Sequence, residues 1–185
     1  MRAALGALAI IAAVITGLVV RVGASTGPIP LNCNRACLEG VIDQYLKALV
    51  AHNPSSAPLS KDVKYTENNQ VIQVGDGFWK TVQGIGNYRH VFADPEVGQV
   101  ALMGTMMEAG APLLMSLRLR VELGRITEAE AALFHPRGGG PTNLAEMDKP
   151  CKPEDLWIRQ IPPAQRLSHP EMIALSAGFF RGLSR

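Results

Sequence analysis

From Asn34 onward, apolar residues recur at three- and four-residue spacing: Leu38, Val41, Ile42, Tyr45, Leu46 and Leu49. Glu39, Asp43, Gln44 and Lys47 fall between them, which predicts a helix that buries one face. The helix is expected to stop near His52-Asn53-Pro54, because the residue before a proline avoids helical backbone. After a short linker, residues 63–68 and 70–74 alternate as two short strands turned at Asn68-Asn69. Gly75-Asp76-Gly77 then opens a helical segment over 78–83, with Asp76 as its expected cap and Gly84-Ile85-Gly86 as its expected break. Tyr88, His90 and Phe92 follow at period two and predict a strand with one aromatic face.

The remaining pattern is a meander. Residues 99–107 and 112–121 read as antiparallel strands, with Leu113, Met115, Leu117, Leu119 and Val121 on one face of the second. A three-residue loop at Glu122-Leu123-Gly124 leads to a last strand over 125–134, in a register that sets Glu128 beside Arg118 and Glu130 beside Ser116. The glycine- and proline-rich run 136–141 ends the domain. Helix, short strands, short helix and meander together predict an α+β fold: a cone-shaped, curved antiparallel sheet wrapped around helices, with a carboxyl-terminal helical extension.

With 185 residues, 47% of them hydrophobic, the chain has room for one domain with a core. Residues 3–20 form an uncharged apolar run between Arg2 and Arg21, followed by small residues to Ala24. The run reads as a signal peptide over 1–24, with an uncleaved membrane anchor as the alternative, so the expected location is secreted or periplasmic. Cleavage removes two arginines and no acid, leaving 16 basic against 16 acidic residues. A neutral chain without a Lys/Arg cluster excludes nucleic-acid binding. In an oxidising compartment, Cys151 is expected to pair with Cys33 or Cys37, since a bridge between those two within one helix is strained. The four histidines are scattered, so no metal site is expected.

Tyr45-Leu46-Lys47-Ala48-Leu49-Val50 and Asp62-Val63-Lys64-Tyr65-Thr66-Glu67 are similar to two patterns of the ketosteroid isomerases. With the element order, they give residues 35–134 a resemblance to the nuclear-transport-factor-two-like superfamily, which includes SnoaL-like polyketide cyclases. Tyr-Thr-Glu-Asn-Asn-Gln, Gly-Asp-Gly-Phe-Trp and Tyr-Arg-His look most like secreted fungal and bacterial members. The resemblance implies a proton acceptor at Glu67 and an oxyanion donor at Tyr45, without a cofactor. The aspartic acid that those isomerases carry before the Gly124-Arg125-Ile126 hairpin is replaced here by Leu117.

A carboxylate facing an apolar cone suits proton transfer, and His90 is the candidate complementary acid. Tyr65, Phe78, Trp79, Tyr88, Phe92 and Leu117 are the candidate substrate-binding residues. Glu67 has a bland alternative, capping a turn or pairing with Arg89. Two functions follow. One is an exported, cofactor-independent lyase, isomerase or cyclase acting on a small apolar or aromatic substrate; the other is a non-catalytic small-molecule-binding protein. The partners expected are a small ligand and a second copy of the chain, with membrane contact only through an uncleaved signal segment. Residues 137–161 are read as a linker and 162–185 as a helical extension that starts with the capping box Ser168-His169-Pro170-Glu171. Residues 177–183 align with 43–49, as an incomplete second repeat would.

Overall fold

The computed structural model describes residues 33–136, 144–149 and 159–184. Helix α1 (Arg35–Val50) buries Leu38, Val41, Ile42, Tyr45, Leu46 and Leu49, the face marked by the sequence periodicity. Strands β1 (Leu59–Glu67), β2 (Gln70–Val71), β3 (Val82–Asp94), β4 (Gln99–Glu108), β5 (Ala111–Glu122) and β6 (Arg125–Phe134) form one sheet in the order β2-β1-β6-β5-β4-β3. The one-turn helix α2 (Phe78–Thr81) feeds into β3. The curved sheet closes over α1, whose buried face joins residues of β1, β4, β5 and β6 in one core.

The sheet is mixed rather than wholly antiparallel: β1 pairs with β6 in parallel, from Leu59↔Ile126 to Glu67↔Ala131. Such a pairing joins strands about 65 residues apart in sequence, and no local turn signal encodes it. β3 also runs through Gly84-Ile85-Gly86 where a break is expected. Register shifts on both sides of Ile85 absorb the glycines as bulges, and pairing to β4 resumes from Arg89 to Asp94.

The β5–β6 hairpin turns on Leu123 and Gly124 alone, both at positive φ (50° and 71°), which the two-residue type I′ turn requires. This turn, with a shift between Arg120 and Val121, pairs Arg118 with Glu130 and Arg120 with Glu128 instead of the expected register. Arg118 bonds both acids, Glu128 at 2.8 Å and Glu130 at 2.9 Å, on the outer face of the sheet. Leu123 is 84% exposed and left-handed, a conformation that favours asparagine or glycine. Leu123→Asn is therefore expected to raise the unfolding free energy by roughly 1 kcal/mol in a denaturant titration.

The cysteine expectation is corrected. Cys33 and Cys37 form the disulfide, with Cα atoms 5.2 Å apart, inside the window such a bridge needs. Cys33 precedes the extended N-cap Asn34 (φ −75°, ψ −179°) rather than lying on the helix, so the chain folds back toward Cys37. Cys151, like the segment 1–24, lies outside the described residues.

Part of the expected linker packs instead. Helix α3 (Leu144–Met147) buries Leu144, and Asp148 beyond it accepts from the backbone amides of Asn87 (2.6 Å) and Tyr88 (2.9 Å) and from the Thr105 hydroxyl. Only glycine fits at position 86, since a Cβ there would meet Thr105 Oγ1 at 2.1 Å and Asp148 Oδ1 at 2.7 Å. The Thr105 hydroxyl, then the Tyr88 amide, hold the Asp148 carboxyl below its ordinary value against the opposing effect of burial, with lesser help from Asn87. A carboxyl lowered on folding adds stability above its unfolded pKa of about 3.9, and that stability is lost as pH falls through the folded value. Protection of the Asn87 and Tyr88 amides, taken relative to their intrinsic exchange rates at each pH, is therefore expected to fall below about pH 4 in the native chain, with the acid dependence weakened in Asp148→Asn.

Candidate functional site

Strand alternation places Tyr65 and Glu67 on the same side of β1, facing α1. The Asn68-Asn69 turn, with both residues at positive φ, ends the strand there. It leaves the Glu67 carboxylate beside the start of α2. Glu67 Oε2 accepts from the Tyr65 hydroxyl and from the Phe78 backbone amide, each at 2.8 Å. Glu67 thereby caps α2, the role expected of Asp76, whose side chain makes no capping bond and pairs with Lys80. Gly77 makes the approach possible: it sits at φ 57°, and a Cβ on it would meet the two Glu67 carboxylate oxygens at 2.6 and 2.9 Å.

Tyr45, Tyr65, Phe78 and Trp79 pack around this carboxylate, none more than 2% exposed. The Tyr45 and Trp79 rings meet edge to face at 5.1 Å. Burial is the main cause that raises the Tyr45 phenol well above its ordinary pKa; the Glu67 charge adds to it, while the Trp79 indole works the other way. That indole N–H is nevertheless buried without a hydrogen bond of good geometry. The Tyr65 phenol is raised too, first by burial, then by Tyr45 and by its bond to Glu67. Leu117, 1% exposed, belongs to the same core. His52, just past the end of α1, holds the group through a 2.6 Å bond between Nδ1 and the Trp79 carbonyl.

His90, Tyr88 and Phe92 are not part of this group. On β3, Arg89 reaches Asp43 of α1, and Val91 and Ala93 pack against the core. The intervening residues therefore face outward by alternation. His90 stacks on Phe92 with ring centroids 4.5 Å apart, and the Tyr88 hydroxyl lies 4.0 Å from Met103 Sδ. The three residues proposed for catalysis are thus divided by the sheet: Glu67 and Tyr45 lie inside, His90 outside.

A cleft of about 960 Å³ opens at the β3 edge, between α1 and the segment that starts at Arg159. Arg35, Arg89, Arg159 and Arg166 line it, against two acids among the described residues, Glu39 and Asp43. Arg89 is matched by Asp43 and Arg35 by Glu39, at 3.6 Å. Arg166 gives its Nε to the Ile161 carbonyl, and neither it nor Arg159 is ion-paired to a described residue. His90, Phe92 and Met172 supply an apolar wall. Sequence periodicity could not bring these arginines together, because they come from three distant segments and follow no repeat; Arg89, a candidate partner of Glu67 by sequence, pairs with Asp43 instead. Among the described residues no group of three His, Cys, Asp or Glu side chains is placed to hold a metal ion.

The profile of a domain of unknown function, DUF8021, matches residues 32–133. No curated protein matches the chain. Among solved structures, a putative ketosteroid isomerase from Kribbella flavida DSM 17836 is similar at 15% identity, over 71% of this chain and 95% of that one, with a TM-score of 0.43. A putative polyketide cyclase from Silicibacter sp. is 17% identical, over 62% and 95%, with a TM-score of 0.42. A cystatin-like-fold protein of unknown function from Methylobium petroleophilum PM1 is 13% identical, over 60% and 84%, with a TM-score of 0.48. At these identities the likeness is one of fold alone.

Proposed function

The chain belongs to the DUF8021 family, and from its geometry we propose that it binds a small organic anion in the cleft at the β3 edge without transforming it inside the cone. The observation that carries this reading is the contrast between the two sites. Inside the cone, Glu67 is held by two donors amid side chains that are almost fully buried. At the edge there is room for a ligand, with two arginines, Arg159 and Arg166, that no described acid matches. A planar guanidinium presents paired donors to a carboxylate, phosphate or sulfate, and the Phe92–His90 stack beside it suits an aromatic body. The Cys33–Cys37 bridge is in keeping with a protein exported to an oxidising compartment. Mass spectrometry of the mature protein tests that part, since an intact segment 1–24 removes the signal peptide.

The test of binding is calorimetric titration with matched aromatic carboxylates, alcohols and amines. Carboxylates are expected to bind, and Arg159→Gln with Arg166→Gln is expected to weaken them at least tenfold. Equal binding of the neutral analogues, or no effect of the double substitution, overturns the reading.

A second reading, cofactor-independent acid–base catalysis, is favoured by the Tyr65–Glu67 bond beside Tyr45. A carboxylate and two phenols form a proton-transfer set if a substrate displaces Phe78 or Trp79. Turnover of an enolisable ketone that disappears in Glu67→Gln while carboxylate binding persists would decide for it.

A further inference from the structure

Helix α4 (His169–Leu183) has no buried residue, although its capping box is present: the Glu171 carboxylate accepts from the Ser168 amide at 2.8 Å, and also from the Ser168 hydroxyl at 2.6 Å. Met172, Ile173, Leu175, Phe179, Phe180 and Leu183 are between 48% and 71% exposed. The alignment of 177–183 with 43–49, extended by one turn, sets Met172, Leu175, Phe179, Phe180 and Leu183 against Leu38, Val41, Tyr45, Leu46 and Leu49. In α1 those five positions are buried against the sheet. α4 therefore carries a sheet-packing face with nothing packed on it, and an apolar patch of that size marks an interaction surface.

The outer face of the sheet offers a matching groove of about 260 Å³. Strand register aligns Phe92, Ala101, Arg118 and Glu130 in one row, and His90, Met103, Ser116 and Ala132 in the next. Small residues Ala101, Ser116 and Ala132 make a floor that bulky side chains can enter. Phe92 and Met103, 51% and 37% exposed, form its apolar wall. His169 pairs with Asp94 at 2.7 Å and Glu96 at 3.5 Å, tying the start of α4 to the corner of this face.

We infer that α4 of one copy seats its apolar face in the outer-sheet groove of a second copy, which returns its own α4 in a two-fold exchange. Dimensions, charge and area point to this occupant. Three strand spacings make the groove about 14 Å across, and the eleven steps from Met172 to Leu183 span about 17 Å. Arg118 and Glu130 at the groove are bonded to each other at 2.9 Å, so they leave no net charge in the path of an entering apolar helix face. A single acid and a single arginine on α4 do not make the cationic face of a helix attracted to anionic lipid. Six half-exposed apolar side chains present roughly 600 Å² per helix, so two helices and the surfaces they cover exceed the about 1,200 Å² of a specific interface.

Sedimentation of the full chain tests the exchange with Phe180→Asp, Met103→Asp and the pair Phe180→Asp with Met103→Lys. Phe180 and Met103 are exposed rather than in the core, and circular dichroism of each variant reports separately that it is folded. The native chain is expected to be a dimer, each single substitution to weaken it at least tenfold, and the charge-complementary pair to recover part of the loss. A monomeric native chain overturns the inference, as does a dimer insensitive to Met103→Asp, which would place the helix elsewhere. Monomers that bind phosphatidylcholine vesicles through Phe180 would make the occupant a membrane and overturn it equally.

Discussion

Gly77→Ala is expected to cost about 3 kcal/mol of unfolding free energy, measured by denaturant titration, from two separable causes. Gly77 holds φ 57° with ψ −127°, a backbone that a side chain disfavours by roughly 1 to 2 kcal/mol. The added Cβ would also collide with Ile72 Cδ1 at 2.8 Å and with the Glu67 carboxylate. Moving that carboxylate breaks its bonds to Tyr65 and Phe78, worth roughly 1 to 2 kcal/mol in a half-buried setting. A double-mutant cycle separates the causes. In a Glu67→Ala background the cost of Gly77→Ala should fall to the backbone part and the contact with Ile72, and strict additivity would show that Glu67 does not press on this turn.

Glu67→Gln is expected to lower stability by about 2 kcal/mol and to leave carboxylate binding at the β3 edge unchanged. The amide keeps the shape but replaces charge-assisted hydrogen bonds by neutral ones of about half the strength. It also presents an NH2 group among donors, since the Tyr65 hydroxyl and the Phe78 amide both point at this site. Thermal unfolding monitored at the tryptophans reads the loss, because Trp79 follows Phe78 in the turn that Glu67 caps. Unchanged stability would mean that the two bonds contribute nothing to the fold. Such a result would return Glu67 to consideration as a base free to exchange its partners.

Local pattern was enough to find the elements of this protein. The apolar periodicity of α1 and its stop before Pro54, the left-handed turn at Asn68-Asn69, the alternation along β5 and the capping box of α4 rest on residues within a few positions of one another. Their physics is short-range: backbone sterics, amphipathic spacing and hydrogen bonds from a side chain to a nearby amide. The cone followed from the order of those elements. So did the aromatic face of β3, although alternation cannot say which side of a sheet a face will meet. Only the packed chain put His90 outside and Glu67 inside, because α1 lies on the side of Arg89, Val91 and Ala93.

Long-range closure decided the rest. The parallel pairing of β1 with β6 completes the sheet between strands far apart in sequence. Asp148 docks α3 on Tyr88 and Thr105 across separations of 60 and 43 residues. The Glu67 cap on Phe78 spans 11 residues, and the β3-edge cleft draws its arginines from α1, β3 and the segment that precedes α4. The Cys33–Cys37 bridge, four residues apart, turned on a single backbone angle at Asn34 that composition does not specify. A sequence records what each residue prefers, and the free energy of bringing distant groups together selects which preferences are met.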